Sequence, residues 1–235
     1  MKAIKDEDLY KVPQEVTRIY CKLLEEKHTD PYTFIVATGG DYLVELIGGG
    51  GGGVHKSSDD TTGSGSGASG GYFKGIIRLN TNDKVSFTFG AGGAGRSVTT
   101  YSEISAPSGT ASTLSINDVL TITTNGGEGG RSRYVSVYGA TVLDDPTRIV
   151  SVISDTGING SFVRGGQYAH PTISRTMSPF SKTDDGYGSG GGYNLSEGGA
   201  SSGGNGAMRI AITYAVEPEE YDYYIDKIRC FGIRY

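Results

Sequence analysis

The chain has 235 residues and a formal net charge of −5, and its 21 basic residues are scattered along the sequence. A groove that follows phosphates needs clustered Lys and Arg, so this composition argues against a nucleic-acid partner. Glycine supplies 39 residues, about twice its usual share, while 16 Tyr and 7 Phe provide large packing units.

No stretch of the sequence is long and apolar enough to predict insertion in a membrane. The first ten residues, MKAIKDEDLY, lack the apolar stretch of a secretory signal, so no ordinary signal peptide is expected. Two cysteines, Cys21 and Cys230, stand near opposite ends of the chain. They are interpreted as small buried hydrophobic residues, with a single disulfide between them as the alternative.

Residues 13–27 have the spacing of an amphipathic helix. Apolar side chains recur there at intervals of three and four residues: Val16, Ile19, Tyr20, Leu23 and Leu24. The pattern predicts a helix within an N-terminal segment, residues 1–30. This helix either packs on its own domain or serves docking and assembly, with Val16, Ile19 and Leu23 as candidate assembly residues.

From residue 32 onward the period changes to two, which is typical of β-strands. The segments YTFIVA and YLVELI flank TGGD, and YFKGIIRL and KVSFTF flank NTND, so two hairpins are predicted. Short strands without an intervening helix predict a mainly β fold, an antiparallel β-sandwich, over residues 31–216. Further strands are predicted at 112–116, 119–124, 134–138, 147–153 and 207–214, with an extra hairpin from the third and fourth of these.

Glycine-rich tracts interrupt these strands at 48–53, 63–71, 90–95, 126–130 and 186–206. They have no G-X-Y period, which excludes collagen, and a flexible linker would occur once between domains. Because glycine lacks a side chain, extended three-residue-per-turn runs can lie side by side and hydrogen-bond to one another. The tracts are therefore predicted to be ordered inserts of polyglycine-helix type in the sandwich.

The sequence contains residues that catalytic and cofactor-binding sites use, but the neighbouring residues that such sites need are missing. The sequence GAGGAG at 90–95 fits G-x-G-x-x-G, but RSVTTYSEIS follows it where a nucleotide site needs a helix. His28, His55 and His170 lack metal spacing, and the Asp pairs lack the spacing of a calcium loop. No nucleophile motif occurs. Neither enzymatic activity nor a cofactor nor a metal is expected.

Three polar segments between the tracts carry side chains of the kind that binding surfaces use: 54–62, 96–109 and 162–185. Aromatic and arginine side chains on the loops of a rigid scaffold favour recognition, and Tyr can stack on sugar rings. The alternative for the aromatic residues is that they close the ends of the sandwich core. The candidate receptor-binding residues are Tyr101, Tyr168, His170, Phe180, Arg96, Arg175 and His55.

The order of these blocks resembles the glycine-rich domain of bacteriophage and prophage tail-fibre proteins. The similarity covers roughly residues 32–214. It depends on the succession VELIGGGGGG, GGYFKGIIRLNTNDKVSFTFGAGGAG, TITTNGGEGG, GYGSGGGY and GGNGAMRIAITY. A similar domain occurs in the extracellular part of certain receptor tyrosine kinases, so the fold alone does not determine function.

The resemblance implies a β-sandwich from which packed polyglycine helices project. It also implies that the three polar segments contact a host receptor, as variable segments do in the tail-tip adhesins of T-even-like phages. The predicted helix and the tail at 217–235 have no counterpart in the family core. That Tyr-rich tail, with Tyr223 and Tyr224, is a second candidate for assembly.

The expected function is that of a virion protein, a tail-fibre or adhesin subunit that binds a bacterial surface glycan or outer-surface protein. Fibre architecture implies a homo-oligomer, with a trimer favoured, in contact with other virion proteins. Weak individual sites then gain strength from multiple copies. The alternative is a structural virion component of the head, fibre or baseplate that binds no receptor.

Overall fold

The computed structural model describes residues 18–56, 63–98, 103–132, 134–160, 162–163, 179–180, 186–194 and 199–216. These residues contain sixteen β-strands and one short 3-10 helix, Pro146–Arg148. In chain order the strands are β1 (Arg18–His28), β2 (Tyr32–Ile35), β3 (Gly40–Ile47), β4 (Val54–Lys56), β5 (Ser64–Gly65), β6 (Tyr72–Leu79), β7 (Lys84–Thr88), β8 (Arg96–Val98), β9 (Ser112–Ile116), β10 (Val119–Thr124), β11 (Thr141–Leu143), β12 (Ile149–Ser154), β13 (Phe162–Val163), β14 (Tyr193–Asn194), β15 (Gly199–Ala200) and β16 (Ala207–Val216).

Ten of these strands form two five-stranded antiparallel sheets. The first sheet has the order β1-β16-β3-β6-β12, and the second has the order β11-β10-β9-β7-β2. Alternate side chains of both sheets enter one buried core, which includes Val44 and Leu46 of the first sheet and Phe87 and Leu114 of the second. The predicted antiparallel β-sandwich is confirmed.

The two predicted hairpins are wrong, although their four strands exist. β2 pairs with β7 in the second sheet, whereas β3 pairs with β6 and β16 in the first, so the chain crosses the core between β2 and β3. It crosses back between β6 and β7. Every one of these strands places an apolar face on the shared core, and alternation alone does not show which sheet a strand joins.

The predicted helix over residues 13–27 is wrong for residues 18–27, which belong to strand β1. Residues 13–17 lie outside the described residues. β1 pairs antiparallel with β16, from Arg18 opposite Val216 to His28 opposite Ala207. Without β1, β16 would present a full row of unpaired backbone groups. Pairing with that row outweighs a local helical preference, which is a weak effect for each residue.

The extra hairpin predicted from 134–138 and 147–153 does not form. Residues 134–140 contain no strand and run instead beside a glycine tract, where the amide of Glu128 donates to the carbonyl of Val137 at 3.0 Å. The strand predicted at 147–153 exists as β12, but it pairs with β6. Between the two predicted strands, β11 adds an edge to the second sheet.

A row of alternating charges joins four strands on the outer face of the first sheet. Glu26, Arg209, Glu45 and Lys74 stand opposite one another on β1, β16, β3 and β6. The buried Glu45 carboxylate lies 2.7 Å from Nζ of Lys74 and 3.5 Å from Nη1 of Arg209. Nε of Arg209 lies 2.8 Å from Glu26. Because a buried charge without a partner is strongly unfavourable, this row opposes any slip in register.

The glycine tracts pack against one another through backbone hydrogen bonds, with residues 48–53 at the centre. The amides of this central tract donate to three surrounding segments with a period of three residues. Gly48 and Gly51 donate to Gly71 and Ala68, Gly49 and Gly52 to Thr110 and Pro107, and Gly50 and Gly53 to Gly204 and Ser201, all at 2.9–3.0 Å.

Carbonyl groups of the central tract accept from three further segments. Gly49 and Gly52 accept from Gly127 and Gly130, Gly50 and Gly53 from Gly93 and Arg96, and Gly51 from Gly191. A period of three residues is that of an extended three-residue-per-turn helix, whose polar groups point outward all round. Six segments therefore surround the central tract, and we call this assembly the glycine bundle.

The centre of the glycine bundle leaves no room for side chains. A Cβ atom at any of the six central positions would overlap a backbone carbonyl of a neighbouring segment, such as that of Glu128 at Gly51 or Ala94 at Gly52. Buried backbone groups need hydrogen-bond partners, and here other tracts supply them at a distance that only glycine permits. The six consecutive glycines are thus a structural element.

Replacing Gly51 by Ala is expected to destabilise the fold by about 3 kcal/mol or more, because the new methyl group meets hydrogen-bonded backbone. Gly40→Ala in β3 is the matched control, since a Cβ at Gly40 meets nothing within 4 Å. Its stability should change by less than about 1 kcal/mol. Urea unfolding followed by circular dichroism measures both variants. Equal effects would contradict close packing as the reason for the tract.

Asp83 holds the connection that leads into β12. Its carboxylate accepts hydrogen bonds from the amide of Asn80 at 2.8 Å, the side chain of Asn117 at 2.7 Å and Nη1 of Arg148 at 2.9 Å. Burial alone would raise the pKa of this carboxyl. The hydrogen bonds and the charge of Arg148 outweigh burial, so the pKa of Asp83 is lowered. Arg148 precedes β12 directly, and the contact therefore fixes where that strand starts.

The lowered pKa of Asp83 predicts a loss of stability in acid. As the pH falls below the ordinary value of 3.8, the unfolded chain binds a proton at this group before the folded chain does. Asp83→Asn should lower stability at pH 7 and flatten its decline below pH 4. Urea unfolding at a series of pH values measures this, with the exposed Asp118→Asn as control. An equally steep decline in wild type and Asp83→Asn would contradict the assignment.

Candidate functional site

The glycine bundle carries the chain away from the sandwich. Residues 48–53 continue β3 and residues 90–95 continue β7, and β4 and β8 begin where these two tracts end. Six residues of a three-residue-per-turn helix advance about 19 Å. β4 and β8 pair in parallel, with Val54 beside Arg96. Two of the three polar segments therefore leave the same end of the bundle in the same direction.

Short strands complete this end of the molecule, which we call the tip. β5 pairs antiparallel with β4 and with β13, so that four strands form a sheet in the order β13-β5-β4-β8. β14 and β15 pair with each other and contact β4. Because β13 begins the third polar segment, the starts of all three polar segments lie together at the tip.

Three of the seven candidate receptor-binding residues fall within the described ranges. Arg96 is exposed on β8, and its Nη1 donates to the carbonyl oxygen of Ser105 at 3.3 Å. His55 and Phe180 are only 3% and 4% exposed, so their side chains do not face solvent as the predicted receptor contacts must. The other four lie outside the described residues: Tyr101, Tyr168, His170 and Arg175.

His55 and Phe180 are buried for different reasons. His55 lies on β4, an inner strand of the tip sheet, and its Nδ1 has no hydrogen-bond partner within the described part of the chain. Phe180 covers the charged row of the first sheet. Its ring lies 4.1 Å from the guanidinium carbon of Arg209, and its carbonyl accepts from Nη1 of Arg209 at 3.1 Å. Phe180 therefore packs on the outer face of the first sheet, with Ile47 and Tyr72, and does not close an end of the sandwich core.

The candidate assembly residues are partly described. Leu23 is 41% exposed on β1, beside the exposed Leu24, and Ile19 belongs to the same strand. A strand therefore presents Leu23, where the sequence predicted a helix. Val16, Tyr223 and Tyr224 lie outside the described residues, as does Cys230.

A polar cleft of about 250 Å³ lies near the tip, between residues 103–108 and 128–131. Nη2 of Arg131 lies 3.2 Å from Oε1 of Glu128, whose Oε2 accepts from the amide of Val137 at 3.1 Å. Arg96 adjoins the cleft through Ser105. The lining residues are Glu103, Ile104, Ser105, Ala106, Ser108, Glu128, Gly129 and Arg131.

The cleft is lined mainly by hydrogen-bond donors and acceptors, together with the apolar side chains of Ile104 and Ala106. Carboxylates, hydroxyls and a guanidinium group suit a ligand with many hydroxyl or amide groups. Glu103, Ser105 and Ser108 fall inside a polar segment that the sequence singled out, although none was named as a site residue. The sequence did not indicate Glu128 or Arg131 as site residues, because they lie within and directly after a glycine tract. Only the fold brings them to the same cleft as Glu103, Ser105 and Ser108.

The described residues contain no group of three or more His, Cys, Asp or Glu side chains able to hold a metal ion. No helix in the same ranges is long and apolar enough to cross a bilayer. Compared with known proteins, the chain has no significant match to a family model or to a curated protein.

His55 should stay neutral at pH values where an exposed histidine is protonated. Burial lowers its pKa below 6.5, because the imidazolium ion is poorly solvated inside the tip. Below pH 6.5 the unfolded chain binds a proton that the folded chain does not, so stability should decline. An NMR titration of the ring protons, assigned with His55→Gln, measures this pKa. A midpoint at or above 6.5 would contradict a buried imidazole.

Proposed function

We propose that this chain is a receptor-binding subunit of a bacteriophage virion, a tail-fibre or adhesin protein that attaches to a bacterial surface through its tip. The observation that carries the proposal is the parallel departure of β4 and β8 from the glycine bundle, with β13 in the same sheet. These strands bring segments far apart in sequence to one end of the molecule. Such an end, held by a rigid support, is typical of recognition surfaces.

The construction of the glycine bundle supports the proposal. Its cohesion comes from hydrogen bonds between backbones, and not from side chains that must fit one another. The polar segments beyond it can therefore change their side chains without disturbing the support. A protein that must follow a variable bacterial receptor benefits from this separation.

The chemistry near the tip favours a polar ligand. Arg96 is exposed, and the adjoining cleft presents Glu103, Ser108 and Arg131. These groups suit the hydroxyls of a bacterial surface glycan or the polar loops of an outer-surface protein. Individual contacts of this kind are weak, and several copies on one virion strengthen attachment.

The test is saturable binding of the fluorescently labelled protein to intact bacteria of a candidate host. One variant replaces Tyr101, Tyr168 and His170 by Ala, and another replaces Arg131 by Gln in the cleft. We expect saturable binding by the wild type and at least about tenfold weaker binding by each variant, which corresponds to about 1.4 kcal/mol of lost contact energy.

The matched control replaces Lys84 by Gln and Asp118 by Asn, which keeps the left-handed backbone of Asp118 (φ 64°) unstrained. These residues form an exposed ion pair at 2.8 Å, at the end of the sandwich away from the tip. The control removes one charge of each sign and should bind like the wild type, with circular dichroism as the check on folding. A folded wild type that binds no candidate host would favour a structural virion component. Equal loss in the control would place binding away from the tip.

A further inference from the structure

Exposed hydrophobic residues are concentrated in one region of the chain. Among the described residues, eight of the thirteen exposed large hydrophobic side chains lie between residues 134 and 158, and each is 42–57% exposed. We call these eight the apolar strip: Tyr134, Val135, Val137, Val142, Val150, Val152, Ile153 and Ile158.

The apolar strip runs along one side of both the sandwich and the glycine bundle. β11 is the edge of the second sheet and β12 the edge of the first, and the short connection at 144–148 keeps them on the same side. The chain before β11 and the chain after β12 continue together along the bundle. There the amide of Gly160 donates to the carbonyl of Ser136 at 3.0 Å, and the amide of Ile158 donates to Oγ of Ser69 at 2.7 Å.

The two edges of the first sheet differ in charge. β1, at one edge, contains Arg18, Lys22, Glu25, Glu26 and Lys27. β12, at the other edge, reads IVSVIS and has neither a charge nor a proline. Within the described residues, β12 pairs with β6 alone. Exposed edge strands normally carry charges or prolines that prevent association, so an uncharged apolar edge indicates a partner.

We propose that copies of this chain associate through the apolar strip, packed strip to strip about an axis parallel to the glycine bundle. An axis in this direction covers the strip along the sandwich and along the bundle together. An antiparallel pairing of β12 with itself would cover the sandwich part alone, and the two tips would then point in opposite directions. Packing about the parallel axis directs all tips to the same side.

Charge and area both favour another copy of this chain as the partner. The chain has a net charge of −5, so an uncharged surface is where two copies can approach with the least repulsion. Residues 134–143 and 149–154 carry no charge, and the charged residues within the span of the strip lie between and after them: Asp144, Asp145, Arg148 and Asp155. Eight half-exposed side chains present on the order of 600 Å² of apolar surface. Each partner in a standard protein–protein interface contributes about 800 Å², so the two areas are similar.

The mass of the full chain in solution tests the proposal, by light scattering or sedimentation between 1 and 100 µM. The wild type should exceed the monomer mass of 24.7 kDa as a dimer or trimer. Val152→Lys on the sandwich and Val137→Lys on the bundle should each return it to the monomer. Leu24→Lys, on the charged opposite edge, is the control: Leu24 is 46% exposed and Val152 43%, and this variant should associate like the wild type.

A wild type that stays monomeric at 100 µM would overturn the proposal, as would dissociation caused by Leu24→Lys alone. Dissociation by Val152→Lys but not by Val137→Lys would replace the parallel axis with antiparallel pairing of β12. If a variant fails to fold, hydrogen exchange of the wild type provides a second test of association. The β12 amides should exchange more slowly at the higher concentration, and a rate independent of concentration would count against association. None of these results depends on whether the tip binds bacteria.

Discussion

The hydrogen bonds of residues 48–53 are the constraint on which the rest of this structure depends. Each amide of the central tract bonds to a neighbouring segment, and the carbonyls described above bond to others, so six segments are held at once. This arrangement has no side-chain core, and its stability comes from satisfying backbone groups at the closest approach that a polypeptide allows. Every surrounding segment must therefore be rich in small residues where it faces the centre.

The sandwich and the bundle meet at a buried serine. Ser112, at the start of β9, donates from its hydroxyl to the carbonyl of Ile47 at 2.7 Å and accepts from the amide of Gly90 at 2.9 Å. It thus links the last residue of β3, the tract that continues β7, and its own strand. Because side-chain packing ends here and backbone packing begins, the strand directions of the sandwich are passed on to the bundle and from there to the tip.

The outer surfaces of the molecule divide into regions of different chemistry. The charged residues of β1 line one edge of the first sheet, and the charged row from Glu26 to Lys74 crosses its outer face, where the charges pair with one another. The other edge presents the apolar strip, and a polar cleft lies near the tip beside Arg96. The proposed display of several tips in one direction uses these regions separately: the charged edge stays in solvent, the apolar strip meets other copies, and the tip meets the ligand.

The sequence by itself determined the β-sandwich, the positions of the glycine tracts at strand ends and the bounds of β9 and β10, which match 112–116 and 119–124. These features follow from local chemistry, since alternation and the absence of a side chain act within a few residues. Only the tertiary structure decided that residues 18–28 form a strand, that β2 and β3 join different sheets, and that His55 and Phe180 are buried. It also brought Glu128 and Arg131 to the cleft. Those outcomes depend on which distant residues form hydrogen bonds with a segment or pack against it. The pattern of a single segment does not identify those residues.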